Sequence, residues 1–145
     1  MRPLKNEMQS KIKSFLLIHN DLMGSPATDH QIESAELALS TRFHPQYIDF
    51  IKLFGGSYAG ISIHAFHNGP LIGKATVTEL TIRFRENYNT QHFPLLDGAY
   101  VIADDGSGNP VLMNPAGQIF LYLHEEDELE PLYSSLDDLL KQTFP

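Results

Sequence analysis

Apolar residues recur at helical spacing through the first third of the chain and at alternating spacing beyond it. Leu4, Met8, Ile12, Phe15 and Leu16 form one stripe, with Lys5, Lys11 and Lys13 off it. That pattern predicts a helix from about Leu4 to His19. Turn-forming residues from Asn20 to Pro26 end it. Thr28-Asp29-His30-Gln31 reads as a capping box, in which the Thr28 hydroxyl and the Gln31 side chain each satisfy the other's backbone amide. It opens a second helix with Ile32, Ala35 and Leu39 inward and Ser40-Thr41 at its end. Pro45 suits the first position of a third helix, whose inward face is Tyr47, Phe50, Ile51 and Phe54 and whose stop is Gly55-Gly56.

Past Gly56 the period changes. Ser57 to Phe66 alternates, with Ile61, Ile63 and Ala65 on one face, and predicts a strand. Val77 to Tyr88 returns to helical spacing through Leu80, Phe84 and Tyr88. Tyr100 to Ala103, Val111 to Met113 and Gln118 to His124 are strand candidates, separated by turns at 104–110 and 114–117. Ser134 or Ser135 caps a last helix that buries Leu136, Leu139 and Leu140. Short links between successive strands imply an antiparallel meander. The fold class is therefore α+β, one domain with a central antiparallel sheet packed by N-terminal and C-terminal helices. Residues 1–27, a helix and its connector, are expected to belong to the same domain as 28–145.

Charge alters this picture more than composition does. Residues 97–145 hold ten Asp/Glu and one Lys, a net of −9, whereas residues 1–96 hold nine Lys/Arg and eight Asp/Glu, a net of +1. An acidic chain is repelled by phosphate backbones and anionic lipid, so nucleic acid and membrane are poor partners and a basic protein is a better one. There is no cysteine, which excludes a disulfide framework, a thiolate zinc site and a cysteine nucleophile, and fits a cytoplasmic protein. The apolar run Phe15-Leu16-Leu17-Ile18 is shorter than the roughly 7–15 residues of a signal-peptide core. No stretch approaches the roughly 18 apolar residues of a membrane span.

The glycine-rich acidic turn Asp104-Asp105-Gly106-Ser107-Gly108-Asn109-Pro110 invites ligand readings. A calcium loop starting at Asp105 needs a bidentate Glu at its twelfth position, where Ala116 stands, and Pro110 interrupts it. A phosphate cradle would need a helix after the glycines and no acidic neighbours. Adjacent carboxylates at Asp104 and Asp105 point to opposite faces of a strand and cannot flank one bond. A solvated hairpin tip accounts for the turn better than catalysis. His64 and His67 share a spacing seen in some metal sites, but no third ligand accompanies them, so no metal or cofactor is assigned. No Gly-x-Ser-x-Gly elbow is present, so no catalytic residue is assigned either. Glu125, Glu126, Asp127, Glu128 and Glu130 form an acidic run that is either a solvated loop or a docking surface for a cationic partner. Leu129, Pro131, Leu132 and Tyr133 beside it are available as apolar anchors. Tyr58, at a helix-to-strand junction, is a further candidate contact.

Taken in order, Thr28-x-x-Gln31-Ile32-x-x-Ala35-Glu36, Pro45-x-Tyr47-x-x-Phe50 and Phe54-Gly55-Gly56 resemble the N-terminal signature of the SMI1/KNR4 family of the SUKH superfamily. The second half is similar as well, in Val101 to Asn109, Gln118-Ile119-Phe120 and the closing Ser135-Leu136-x-x-Leu139-Leu140. The chain departs from the family pattern at His44, where an apolar residue is usual, and at Asn109, where Asp is common. The resemblance implies an α+β fold with helices around an antiparallel sheet. It implies a non-catalytic binding protein. In bacteria this is an immunity protein against a toxin domain, often a nuclease, and in fungi an interaction module in cell-wall synthesis and signalling. Thr28, Glu36, Pro45, Tyr47, Gly55, Gly56, Gly106 and Gly108 match the pattern. Most have local structural explanations; Glu36, inside a helix, either holds a neighbouring backbone or lines the partner surface. The partner surface expected for a basic toxin domain is Asp104, Asp105, Glu125, Glu126, Asp127, Glu128 and Glu130, with Tyr58. The rival expectations are a regulatory or scaffold module and a small metal protein or enzyme using His64, His67, Asp104 or Asp105.

Overall fold

The structure, a computed structural model, describes residues 3–145. Its elements are α1 (Asn6–Ile18), α2 (Asp29–Leu39), α3 (Pro45–Phe54), β1 (Ser57–Tyr58), β2 (Ser62–Ile63), α4 (Val77–Asn87), β3 (Tyr100–Asp104), β4 (Pro110–Met113), β5 (Ile119–Leu123), β6 (Glu128–Tyr133) and α5 (Leu136–Thr143). Two single 3₁₀ turns, Asn20–Leu22 and Pro94–Leu96, join them. The fold is α+β, and β3-β4-β5-β6 form a four-stranded antiparallel meander in chain order.

Alternation along the strands sends residues to two cores. Tyr100, Ile102, Val111, Met113 and Ile119 face a large core with α1, α2, α3 and α5. Val101, Leu112, Phe120 and Tyr122 face a smaller one, closed by Phe84 of α4 and by Leu96. The sheet is thus covered on both sides, which is why β3, β4 and β5 carry near-continuous apolar runs. Helix α1 contributes Leu4, Met8, Ile12 and Leu16 to the large core. Arg85 of α4 donates to the carbonyls of Leu39 (2.6 Å) and Ala99 (3.3 Å), tying the C-terminus of α2 to the start of β3.

Two sequence expectations change. The single strand expected over Ser57 to Phe66 is instead a pair of two-residue strands, with Ser57 opposite Ile63 and Tyr58 opposite Ser62. Gly60, with φ of 92°, turns the chain between them. The alternating pattern reflected burial of Ala59, Ile63 and Ala65 rather than a continuous ladder. The acidic run from Glu125 to Glu130 is not all loop: only the first three residues lie in a turn, and Glu128 and Glu130 sit on β6, opposite Leu123 and Leu121. Charge hides this strand because β6 lies at the sheet's edge, where polar residues and Pro131 are tolerated.

The caps form as expected. Thr28 Oγ1 accepts from the Gln31 amide (3.2 Å) and Gln31 Oε1 from the Thr28 amide (3.0 Å). Ser135, not Ser134, caps α5 by accepting from the Asp138 amide. A second capping box, Thr76 with Glu79, opens α4.

Candidate functional site

In a meander, alternate turns fall at the same end of the sheet. The β3–β4 turn (105–109) and the β5–β6 turn (124–127) therefore share one end, and the 114–118 turn lies at the other. The two tips are also bonded to each other. Asn109 Oδ1 accepts from the His124 amide (3.1 Å) and lies 2.6 Å from His124 Nδ1. Asn109 Nδ2 in turn donates to Asp105 Oδ2 at 2.9 Å.

Within the first tip, Asp105 Oδ1 accepts from the amides of Ser107 (2.8 Å) and Asn109 (3.1 Å). Asp104 Oδ1 accepts from the Gly106 amide at 2.7 Å. These bonds need the chain to fold back tightly, and Gly106 and Gly108 supply it with φ of 83° and 86°, a region that costs residues with a Cβ. The Asn109 side chain first, and the two amides with it, hold the Asp105 carboxyl below the ordinary aspartate range. Within the second tip, Asp127 adopts φ of 51°. Its carboxylate accepts from the Tyr122 hydroxyl (2.6 Å) and lies 2.7 Å from His92 Nε2. The Tyr122 bond, and then His92, keep Asp127 ionised below the usual range. Burial, and then the Asp127 carboxylate, push the Tyr122 phenol up to about 12.

The seven carboxylates expected at a partner surface therefore divide by environment. Asp104, Asp105 and Asp127 are engaged in building the tips. Glu125, Glu126, Glu128 and Glu130 are exposed and make no side-chain hydrogen bond or ion pair among the described residues. Of these four, Glu128 and Glu130 also guard an edge strand against pairing, so Glu125 and Glu126 are the pair with no architectural duty. The remaining carboxylates of the acidic third are elsewhere. Asp97 precedes β3, and Asp137 and Asp138 start α5, where Asp137 pairs with Lys141 at 2.9 Å and Asp138 accepts from Ser134. Tyr58 stands apart from the tips, beside Phe15 of α1 (ring centroids 6.2 Å apart).

The residues that organise this end were not singled out by the sequence. Asn109 with His124, and His92 with Asp127, bond the tips together and to the 88–97 segment across 15 and 35 residues, whereas Tyr122 bonds Asp127 within its own hairpin. Asn109 showed as a member of the acidic turn and as a departure from a pattern, not as a link between the tips.

The family-pattern residues are spread through the scaffold. Glu36 Oε2 accepts from the Phe43 amide at 2.8 Å, so it holds the backbone between α2 and α3. His44, the other departure, caps α3 by accepting from the Gln46 amide through Nδ1. Pro45 occupies the first turn of α3. Tyr47 is fully buried and donates to the His64 carbonyl at 2.6 Å. A Cβ on Gly55 would lie 2.0 Å from the Ser25 carbonyl oxygen, and one on Gly56 1.8 Å from Asn68 Oδ1, so both glycines permit close contact with neighbouring loops. His64 Nδ1 lies 2.7 Å from the Ala75 carbonyl, and its ring is oriented by that contact. Among the described residues no group of three His, Asp or Glu is arranged to hold a metal ion. No helix there is long and apolar enough to cross a membrane.

No curated protein matches the chain. Its sequence does match the SMI1 / KNR4 family (SUKH-1) over residues 26–142, a span that runs from the cap of α2 nearly to the end of α5 and takes in both acidic tips. With the α+β fold, the antiparallel meander and the ordered motifs from Thr28 to Leu140 in place, the chain belongs to the SMI1 / KNR4 family (SUKH-1).

Proposed function

We propose that this protein is a non-catalytic binding domain, an immunity protein that neutralises a basic toxin domain through the acidic end of its sheet. The observation that carries the reading is the pairing of two bonded hairpin tips that leave Glu125 and Glu126 exposed and unpaired. The carboxylates of Asp105, Asp127 and Glu36, by contrast, are engaged in bonds within the fold. Unpaired ones on a pre-organised tip raise the rate at which a cationic surface is met, and they lose no internal bond when it docks. Nuclease toxins attract phosphate and so are cationic at their sites, which an acidic inhibitor can occupy. Membership of the SMI1 / KNR4 family supports the immunity role, because the family is known for such domains. In this reading the protein acts in the cytoplasm, where an incoming toxin meets its target.

The test uses the C-terminal domain of the product encoded immediately upstream. Surface plasmon resonance at low ionic strength should show a complex. The double variant Glu125→Lys/Glu126→Lys should slow association about tenfold while leaving the unfolding midpoint in place. No complex would remove the immunity reading. A complex whose association rate ignores the double reversal would remove the acidic surface.

A further inference from the structure

Charge alone explains encounter better than affinity. Tight interfaces centre on a few apolar or aromatic anchors in desolvated pockets, with charges at the rim. Beside the acidic tips lies a groove of about 160 Å³ between α4 and the β3–β4 hairpin. Leu80, Phe84 and Tyr88 line one wall, spaced one turn apart on α4 and its C-cap, and Val101, Ala103 and Pro110 line the other. The groove stays open at Gly108, which has no side chain to cover it. Its lip carries Asp104 from the hairpin, and Arg83 and Asn87 from α4. Glu79, one turn before Arg83, offsets that single cation; the Glu79 carboxyl is lowered first by its cap bonds to Thr76 and last by Arg83. The groove also joins the second tip, since the Tyr88 ring lies 6.1 Å from that of His124 and 5.3 Å from that of Tyr122.

We propose that this groove receives one leucine-, phenylalanine- or tyrosine-sized side chain of the basic partner, flanked there by Lys or Arg residues that face Asp104 and the 124–127 tip. The proposal deepens the acidic-surface reading and rests on it. Charge complementarity selects the occupant: a second copy of this chain would bring its own carboxylates to the same place, whereas a basic segment brings the apolar residue in beside opposite charge. The groove supplies what Glu125 and Glu126 lack, a surface that dehydrates on contact.

Amide NMR titration with two synthetic peptides tests this, Lys-Lys-Phe-Lys-Lys and Lys-Lys-Ala-Lys-Lys, both with blocked termini and at low salt. Both should move the amides of residues 105–109 and 124–127. Only the Phe peptide should move those of Leu80, Phe84, Tyr88 and Val101, and it should bind about tenfold more tightly. Asn87→Trp, at an exposed position of the groove's lip, should bring the Phe peptide down to the Ala peptide's affinity and leave the Ala peptide unaffected, with the rest of the spectrum unchanged. Equal affinities of the two peptides would overturn the groove and leave the acidic tips standing. Concentration-dependent shifts of the groove amides in the protein alone would overturn it in favour of self-association. If neither peptide moves the tip amides, the acidic surface fails and the groove proposal with it.

Discussion

The two ends of the four-stranded sheet handle polar groups in opposite ways. At the 114–118 end they are buried and bonded. Asn114, 5% exposed, donates to the Leu95 carbonyl and to Gln118 Oε1, both at 3.0 Å, and accepts from the Gln118 amide at 2.9 Å. The His44 amide donates to the Tyr100 hydroxyl at 2.9 Å, and Gln46 Oε1 accepts from the Asp137 amide at 3.0 Å, joining α3 to α5. A Cβ on Gly117 would meet the His44 ring at 2.7 Å. At the acidic end the bonds stop at the tips, and Glu125 and Glu126 extend past them. One end locks the sheet to its helices; at the other the tips bond to each other and leave Glu125 and Glu126 exposed. Carboxylate number does not separate the two ends, since Asp97, Asp137 and Asp138 belong with the first. Partnering does.

The sharpest way to break this division is to damage the locked end. Tyr100 is fully buried, packs on Phe43 and Tyr47 (ring centroids 4.5 and 5.4 Å), and accepts from the His44 amide. Burial, the leading cause, raises its phenol well above the ordinary value, so it stays a neutral hydroxyl at every working pH. Tyr100→Ala should cost about 3–5 kcal/mol in urea unfolding, through the cavity and the unpaired amide together. A loss under about 1 kcal/mol would mean the locked end is not where stability resides.

A smaller effect is expected at the acidic end. Asn109 bonds Asp105 within its own tip and His124 in the other, and all of these groups are at least partly exposed. Asn109→Ala should cost about 1 kcal/mol, the ordinary net value of such bonds. Hydrogen exchange should quicken at His124 and at 105–109 and stay unchanged at Asn114 and Gln118. Faster exchange at both ends would show that the ends are coupled and that the contrast between them is overstated.

How much of this was legible in the sequence follows from the range of each interaction. The capping box at Thr28, the first turn at Pro45 and the stripe of Leu80, Phe84 and Tyr88 depend on neighbours within four residues, so spacing exposes them. The order of motifs from Thr28 to Leu140 carried the family for the same reason. The strand β6 was hidden because an edge strand with carboxylates at Glu128 and Glu130 lacks the continuous apolar run that two-sided burial imposes on β3, β4 and β5. The bond between Asn109 and His124, and the contact of His92 with Asp127, join segments that only the fold brings together. The charge of the acidic run was plain from composition, whereas the division between engaged Asp105 and Asp127 and unpaired Glu125 and Glu126 needed the tips to be folded. Glu36 fell between: its helix was evident, but its bond to the Phe43 amide depends on how the chain turns after α2.

The smallest effect separates the ends by pH. Burial lowers the His44 imidazole below its unfolded value of 6.5, so near that pH the unfolded chain binds more protons than the folded one. Stability therefore falls as pH drops through 6.5 and stops falling once pH is below the folded value. The acidic end responds later. Asp105 and Asp127 are both held below their unfolded value of 3.8, so what they contribute is complete above that pH and is lost as pH falls further. Because both carboxylates are exposed, their loss should loosen the tips without unfolding the sheet. His44→Asn keeps an acceptor at the cap of α3 and removes the titration. In urea unfolding at pH 7.5 and 5.5, this variant should be less sensitive to pH than the parent. Amide exchange at 105–109 and 124–127 should stay level over that interval in both proteins and quicken only below about pH 4. If the parent loses no stability between pH 7.5 and 5.5, His44 is not held neutral by burial. If the tips instead loosen in that same interval, Asp105 and Asp127 do not govern them.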